Sequence, residues 1–499
     1  MPDLPLLADA HLPGQLRSAL ERASFTYATV ADLLGPRAHE ALGRNETTPG
    51  ERVTRGGSPL ETLTRLFTLQ RPVTRAHADT ALPGLVDRLV EAGVLEGSAG
   101  ELRAAVDVRP YASDDGDGSD ASADLWVLSD LTPGMDGRPH RVGGDYVLGV
   151  SPASTSLAQL TMRTPVARAL DLGTGCGVQA LHLATHADAV VATDVNARAL
   201  TMARFTMALN GIDTVDVRDG SFFEPVAGEK FDLIATNPPF VISPATGERL
   251  VYRDSGLPGD QVVEHVVRRG VDHLSEGGWL QVLANWAVAE GTPWDERLAA
   301  WLPDGTSAFV VQREVLDPAA YVELWLKDAG LHGGPDYTER YDTWLGWMEA
   351  QGIEGIGFGW INVRRGGEAR ELLDWPYDVE QPIAPAIEEW EASHDALAGV
   401  DDLSAERLVV RSDVRQETQG APGAEDPETI VLRQQRGMRR ARQVDTLEAA
   451  MVGACDGDLE VGQILDAVAS LLGQDPEGVR TQVLPAVREM VAEGFLDLA

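Results

Sequence analysis

The pattern of apolar and polar positions divides the chain into three stretches. Over residues 1–111 apolar side chains recur at helical spacing, most clearly in PLETLTRLFTLQ (59–70) and LPGLVDRLVEAGVLE (82–96), so this part is expected to be a mainly helical domain. ELRAAVDVRPY (101–111) closes it with strand-like alternation. ASDDGDGSDASAD (112–124) has nothing to bury and reads as an acidic linker or long exposed loop. From 125 to 366 short apolar runs alternate with amphipathic helices, as βαβ units around a parallel sheet require. Strands are expected at ARALDLGT, AVVATDV, TVDVRD, FDLIATN, WLQVLANW, SAFVVQREV and GFGWINVRR, the last as an antiparallel partner at an edge. Residues 375–499 form a further domain, whose VREMVAEGFLDL echoes VDRLVEAGVLEG near the start. Both echoes run a helix through Gly into an apolar strand start, so the two mainly helical flanking domains resemble winged-helix modules, a common helix-Gly-strand turn being the other reading.

Composition narrows the setting. Acidic side chains outnumber basic ones by 78 to 41, giving a formal net charge of -37. That is a poor footprint for a protein that coats nucleic acid, since phosphate neutralisation needs clustered Lys and Arg. A local basic groove is still compatible with it. Lys230 and Lys327 are the only lysines in an Ala- and Gly-rich sequence, which reads as coding bias. Cys176 and Cys455 are the only cysteines, too few for a disulfide framework and without zinc-ligand spacing, so a reducing cytosol is expected. MPDLPLLADAH has neither a charged n-region nor an apolar h-region, and no run of about 18 apolar residues occurs. The expectation is a cytoplasmic protein with no membrane span.

Four of the expected strands end in unusual chemistry. The first runs into Asp171-Leu172-Gly173-Thr174-Gly175-Cys176-Gly177 and directly into a helix. Its glycines let the backbone turn sharply and lie against a ligand, at the strand end where open α/β sheets bind ligands. A dinucleotide fingerprint would want its third Gly at 178, which is Val178. The second strand ends at Asp194, 19 positions after Gly175, where an acceptor-only carboxylate suits a ribose diol. At the third, Asp219 or Ser221 is placed to meet an adenine edge and Phe222 to stack on it. The fourth ends in Asn237-Pro238-Pro239-Phe240, where two prolines stop the strand between an amide and an aromatic ring.

This order of features resembles the class I S-adenosylmethionine-dependent methyltransferases. The Asn-Pro-Pro-Phe segment resembles the signature of those that methylate a planar nitrogen, either an amino group of adenine or guanine in nucleic acid or the glutamine amide of peptide release factors. The resemblance implies a Rossmann-like sheet of seven strands over 125–366, flanked by the two mainly helical domains. It implies S-adenosylmethionine as cofactor, held by Asp171, Gly173, Thr174, Gly175, Cys176, Gly177, Asp194, Ser221, Phe222 and Asn237. It also implies that the Asn237 side-chain oxygen and the Pro238 carbonyl each accept one N–H of the target NH2 group, so that the nitrogen lone pair points at the methyl. Pro238 and Pro239 would fix those acceptors in advance and Phe240 would offer a face to the planar group. Neither a metal nor a covalent intermediate is implied. One departure is Ser221, where the family commonly has Asp.

The substrate signals diverge. VYRDSGLPGDQVVEHVV (251–267) resembles the loop of HemK-type release-factor glutamine methyltransferases, whereas DYVLGVSPAS (145–154) resembles small-domain ribosomal RNA methyltransferases. The net charge tips the balance toward a macromolecular protein substrate, release-factor-like, over RNA. A third reading is a non-catalytic S-adenosylmethionine-binding regulatory protein, against which the intact Asn237 to Phe240 segment stands.

Other features have plainer readings. His182 and His186 share a helix face without a zincin-type Glu, so no metal site is expected. Tyr337, Tyr341, Trp344 and Met348 form a helical stripe, read as core. Arg433, Arg436, Arg439, Arg440 and Arg442 are read as a salt-bridged helix start rather than a phosphate-binding patch.

Overall fold

Successive side chains of a strand point to opposite faces, so neighbouring residues can serve two cores. In the computed structural model Ala169 packs with Ala192, Leu233 and Ala235 on one face of a sheet. Leu170, its neighbour, packs with Val191 and Ile234 on the other. The structure describes residues 5–98, 100–113, 123–135, 143–244, 257–422 and 427–499. Its contacts divide it into two units, one up to Trp375 and one from Pro376.

The sheet of the first unit has seven strands: β1 (Val166–Leu172), β2 (Ala187–Asp194), β3 (Val215–Asp219), β4 (Phe231–Thr236), β5 (Leu274–Ala289), β6 (Thr306–Leu316) and β7 (Ile353–Asp374). Their order is β6-β7-β5-β4-β1-β2-β3. β5, β4, β1, β2 and β3 run parallel to their neighbours. β7 is antiparallel to both β5 and β6. The last strand therefore lies one place inside the edge rather than at it, and β6 takes the edge. Glycines on β7 make room for this: a Cβ on Gly359 would stand 2.7 Å from the Trp286 ring of β5.

Helices cover both faces. They include α1 (Pro152–Leu160), α2 (Val178–Leu183), α3 (Ala197–Asn210), α4 (Gln261–Gly270), α5 (Pro318–Asp328) and α6 (Tyr337–Ala350). α2 and α3 supply Val178, Leu181, Met202 and Phe205 to one face. α4 supplies Val263, Val266 and Val267 to the other.

The stretch before the sheet does not form a core of its own. One continuous cluster of buried side chains runs from Leu6 and Leu12 through Trp126 to Phe205 and Leu233. Asp107–Ser113 and Ala123–Ser129 pair as an antiparallel hairpin, so both ends of the expected 112–124 linker lie in strands; its residues 114–122 are outside the described residues. Trp126 explains the continuity. Its indole N–H donates to the Phe25 carbonyl at 2.7 Å, and its backbone exchanges hydrogen bonds of 3.0 and 2.8 Å with the Asn210 side chain at the end of α3.

The two echoing segments fold alike. Near the start, strand Val73–Thr74, two helices and strand Leu95–Ser98 flank a central strand, Glu101–Ala104, that follows them. In the second unit, strand Asp456–Glu460, two helices and strand Leu496–Leu498 flank a central strand, Arg407–Val410, that precedes them. Gly93 (φ 74°) and Gly494 (φ 77°) turn the helix into the strand in each. Both are thus winged-helix-like arrangements with the middle strand drawn from opposite sides in sequence. The arginine run corrects the sequence expectation: it lies on strands Thr429–Gln434 and Ala441–Val444 and their turn, not at a helix start. Cross-strand pairing puts Arg433 beside Glu417 (2.9 Å), while Arg442 meets Glu489 (2.7 Å) and Glu493 (3.1 Å). No helix among the described residues is long and apolar enough to cross a membrane.

Candidate active site

The carboxyl ends of β1, β2, β3 and β4 meet around a cavity of about 670 Å³. After β1 the backbone passes through Gly173, Gly175 and Gly177 with φ of 79°, 56° and 91°. Gly177 also sits against α3, where a Cβ would come 2.9 Å from Met207 Cε and 3.5 Å from Ala203 Cα. The loop is braced from behind. Asp171 Oδ2 accepts the Thr174 hydroxyl at 2.6 Å and the Ala180 backbone N–H, in α2, at 3.0 Å. Burial pushes the Asp171 carboxyl up to about 7 against these two hydrogen bonds, and the charge of Asp194 adds to the rise.

Asp194 ends β2 with both oxygens engaged. Oδ2 accepts the Gly175 N–H at 2.9 Å and Oδ1 the Asn196 N–H at 2.8 Å. Burial raises its carboxyl above the ordinary range, opposed by those backbone donors. Beyond β3, Ser221 and Phe222 face the cavity while Asp219 is exposed and does not line it. Phe222 takes φ 46°, rare for a non-glycine residue, and its ring lies 4.8 Å from that of His265 on α4.

β4 is tied to β1 by the Thr236 hydroxyl, which donates to the Leu172 carbonyl at 2.7 Å. Next comes Asn237, whose side-chain Oδ1 is buried and has no hydrogen-bond partner among the described residues. Pro238, Pro239 and Phe240 continue the cavity wall. Two residues later the chain is held by the α5–α6 pair: Ile242 donates its N–H to the Tyr321 hydroxyl at 2.9 Å, and its carbonyl accepts the Trp344 indole N–H at 2.8 Å.

Of the residues expected at the site, Gly173, Gly175, Asp194, Ser221, Phe222, Asn237, Pro238, Pro239 and Phe240 line the cavity. Asp171, Thr174, Cys176 and Gly177 do not; they support the loop, and burial pushes the Cys176 thiol up to about 12. Sequence reasoning missed Asn196, Val266 and the segment Gly144 to Leu148, which also line it. The only signal for that segment was its likeness to RNA methyltransferases, since an irregular strap carries no periodicity. Residues 251–256 of the loop resembling release-factor enzymes lie outside the described residues. The charged side chains in the described lining are Asp145 and Asp194, both acidic.

The plainer features fall away from the cavity. His182 shares a 2.8 Å hydrogen bond with the Tyr111 hydroxyl and is pushed down to about 3 by burial. The described residues hold no group of three His, Cys, Asp or Glu arranged for a metal. Trp344 and Met348 are buried in the core beneath the α5–α6 pair, with Tyr337 and Tyr341 packed on it.

A comparison with known families fits the sheet order and the cavity together. Residues 149–292 match the methyltransferase small domain. The regions 22–105 and 388–497 match two domains of unknown function. Within the methyltransferase-like part, the chain is 34% identical over 131 residues to a release factor glutamine methyltransferase from Xylella fastidiosa, covering 24% of this chain and 47% of the relative. It is 36% identical over 131 residues to ribosomal RNA small subunit methyltransferase C from Salmonella arizonae, covering 26% of this chain and 34% of that protein. The chain therefore spans about half the length, or less, of these curated relatives. A solved rRNA methylase from Streptococcus thermophilus aligns over 44% of this chain and 99% of its own, at 13% identity and a TM-score of 0.26.

Proposed function

We propose that the chain is an S-adenosylmethionine-dependent N-methyltransferase whose target is a planar nitrogen, a glutamine side-chain amide in a protein. The observation that carries this reading is the buried, unpartnered Oδ1 of Asn237 in a cavity wall at the end of β4. A buried acceptor left unpaired costs about 1–3 kcal/mol, a debt that an N–H of a bound target would remove.

The residues fit the cofactor. The acidic lining suits a cationic sulfonium and ammonium, and Gly173, Gly175, Asp194, Ser221 and Phe222 surround space of the size small-ligand sites use, roughly 300–1,000 Å³. S-adenosylmethionine, when bound, supplies an activated methyl group. The protein's part is orientation. Asn237 Oδ1 and the Pro238 carbonyl each accept one N–H of the target, and the amide lone pair, otherwise delocalised, is turned toward the methyl. The proline rings of Pro238 and Pro239 restrict the backbone so the acceptors need not reorganise. Phe240 offers a ring face to the planar group.

Methylation of an adenine or guanine amino group in RNA is the second reading, supported by the likeness to the ribosomal RNA enzyme. The net charge of -37 and the absence of Lys, Arg or His from the described lining favour the protein amide. Purified protein incubated with methyl-labelled S-adenosylmethionine and extract from a strain lacking it should label protein. Label confined to RNA would overturn the substrate assignment in favour of the second reading.

A further inference from the structure

Asn196 stands at the junction of two walls of the cavity. It caps the start of α3, its Oδ1 accepting the Arg198 N–H at 3.0 Å. Its backbone N–H donates to Asp194 Oδ1 at 2.8 Å, and its Nδ2 donates to the Asp145 carbonyl at 3.0 Å. One residue thus joins the carboxylate at the end of β2 to the strap Gly144 to Leu148. The strap has a second tie to the same helix end. Its Val147 N–H donates to Asp130 Oδ2 at 2.8 Å, and Asp130 forms a buried ion pair with Arg198, whose Nε lies 3.1 and 3.0 Å from the two oxygens.

We propose that Asn196 is a positioning residue for the cofactor, its Nδ2–Asp145 bond holding the strap across the cavity at a fixed distance from Asp194. The Asp130–Arg198 pair secures the strap beyond that point, while Asn196 sets the part that lines the cavity beside Asp145 and Tyr146. This inference rests on the reading of the cavity as an S-adenosylmethionine site. The backbone N–H groups of the glycine loop point elsewhere: Gly173 and Thr174 donate to the Thr193 carbonyl and Gly175 donates to Asp194.

Two substitutions separate this role from helix capping. Ser and Asp cap a helix as well as Asn, yet neither offers an Nδ2 donor. The full chain, its Asn196→Ser and its Asn196→Asp variants are titrated with S-adenosylhomocysteine by calorimetry, alongside thermal unfolding. The expected result for Asn196→Ser is an unchanged unfolding temperature with binding weakened about tenfold. Asn196→Asp should bind at least as weakly, because its carboxylate adds a charge beside Asp194. In steady state, KM for S-adenosylmethionine should rise while kcat at saturation holds. Unchanged affinity in Asn196→Ser would overturn the inference, and so would parallel losses of affinity and unfolding temperature, which would make the residue a helix cap alone. If the parent chain itself bound no S-adenosylhomocysteine, the cofactor reading would fail instead.

Discussion

The Tyr321 hydroxyl accepts the backbone N–H of Ile242 at 2.9 Å, fixing the chain two residues beyond Phe240. The same oxygen accepts Asn285 Nδ2 at 3.3 Å, and the whole side chain is buried. The segment carrying the proposed acceptors is therefore held at one end by β4 and at the other by a helix outside the region matched to the methyltransferase small domain.

Tyr321→Phe should leave two buried donors without an acceptor, at a cost of about 1–3 kcal/mol in denaturant unfolding. Because small displacements of positioned groups are expensive in rate, kcat should fall about tenfold with the cofactor KM unchanged. An unaltered kcat would remove Tyr321 from the positioning of Asn237 to Phe240.

Stability should carry a signature of Asp171. Burial, first, then the nearby Asp194 charge, raises its carboxyl to about 7 from an ordinary value of 3.8. The folded chain therefore holds this proton more tightly than the unfolded one. Its stabilising contribution is complete below about pH 4 and is lost as pH rises toward about 7. The slope from this group reaches about 1.4 kcal/mol per pH unit inside that window. Asn can still accept from Thr174 and Ala180, so Asp171→Asn should flatten the fall relative to the parent, read as denaturant midpoints across the window. Parallel curves would contradict the assignment.

Much of this was legible beforehand, and for identifiable reasons. Runs such as VARALDL and FDLIATN are short, apolar and bounded by Gly or Pro, so β1, β4 and their ends at Gly173 and Asn237 could be placed from pattern alone. β7 was harder. Gly357 and Gly359 look like strand breakers, and only the Trp286 ring lying across them shows why they favour an interior position. Asp171 and Thr174 belonged to a recognisable motif, but whether a motif residue faces a ligand or braces a loop depends on rotamer and burial. Asn196 and Asp145 act through one side-chain-to-backbone bond across 51 positions, which leaves no trace in local periodicity.

The arginines of the second unit test the second substrate reading. Arg436 and Arg439 are exposed on the turn between two strands, whereas Arg433 and Arg442 are paired with glutamates. Exchanging Arg436 and Arg439 for Glu should leave the amount of methyl label transferred from S-adenosylmethionine within about twofold, as surface charges that form no phosphate site do. A loss of labelled RNA in the variant would make this turn a nucleic-acid contact.

The central claim concerns one atom, Asn237 Oδ1. Asn237→Ala removes it while leaving Gly173, Gly175 and Asp194 in place, and the variant can be compared with the parent for S-adenosylhomocysteine affinity and single-turnover methyl transfer. Affinity should stay within about threefold, with transfer slowed at least about a hundredfold, the scale on which lost transition-state hydrogen bonds are felt. Methyl transfer at the parental rate by Asn237→Ala would contradict the account.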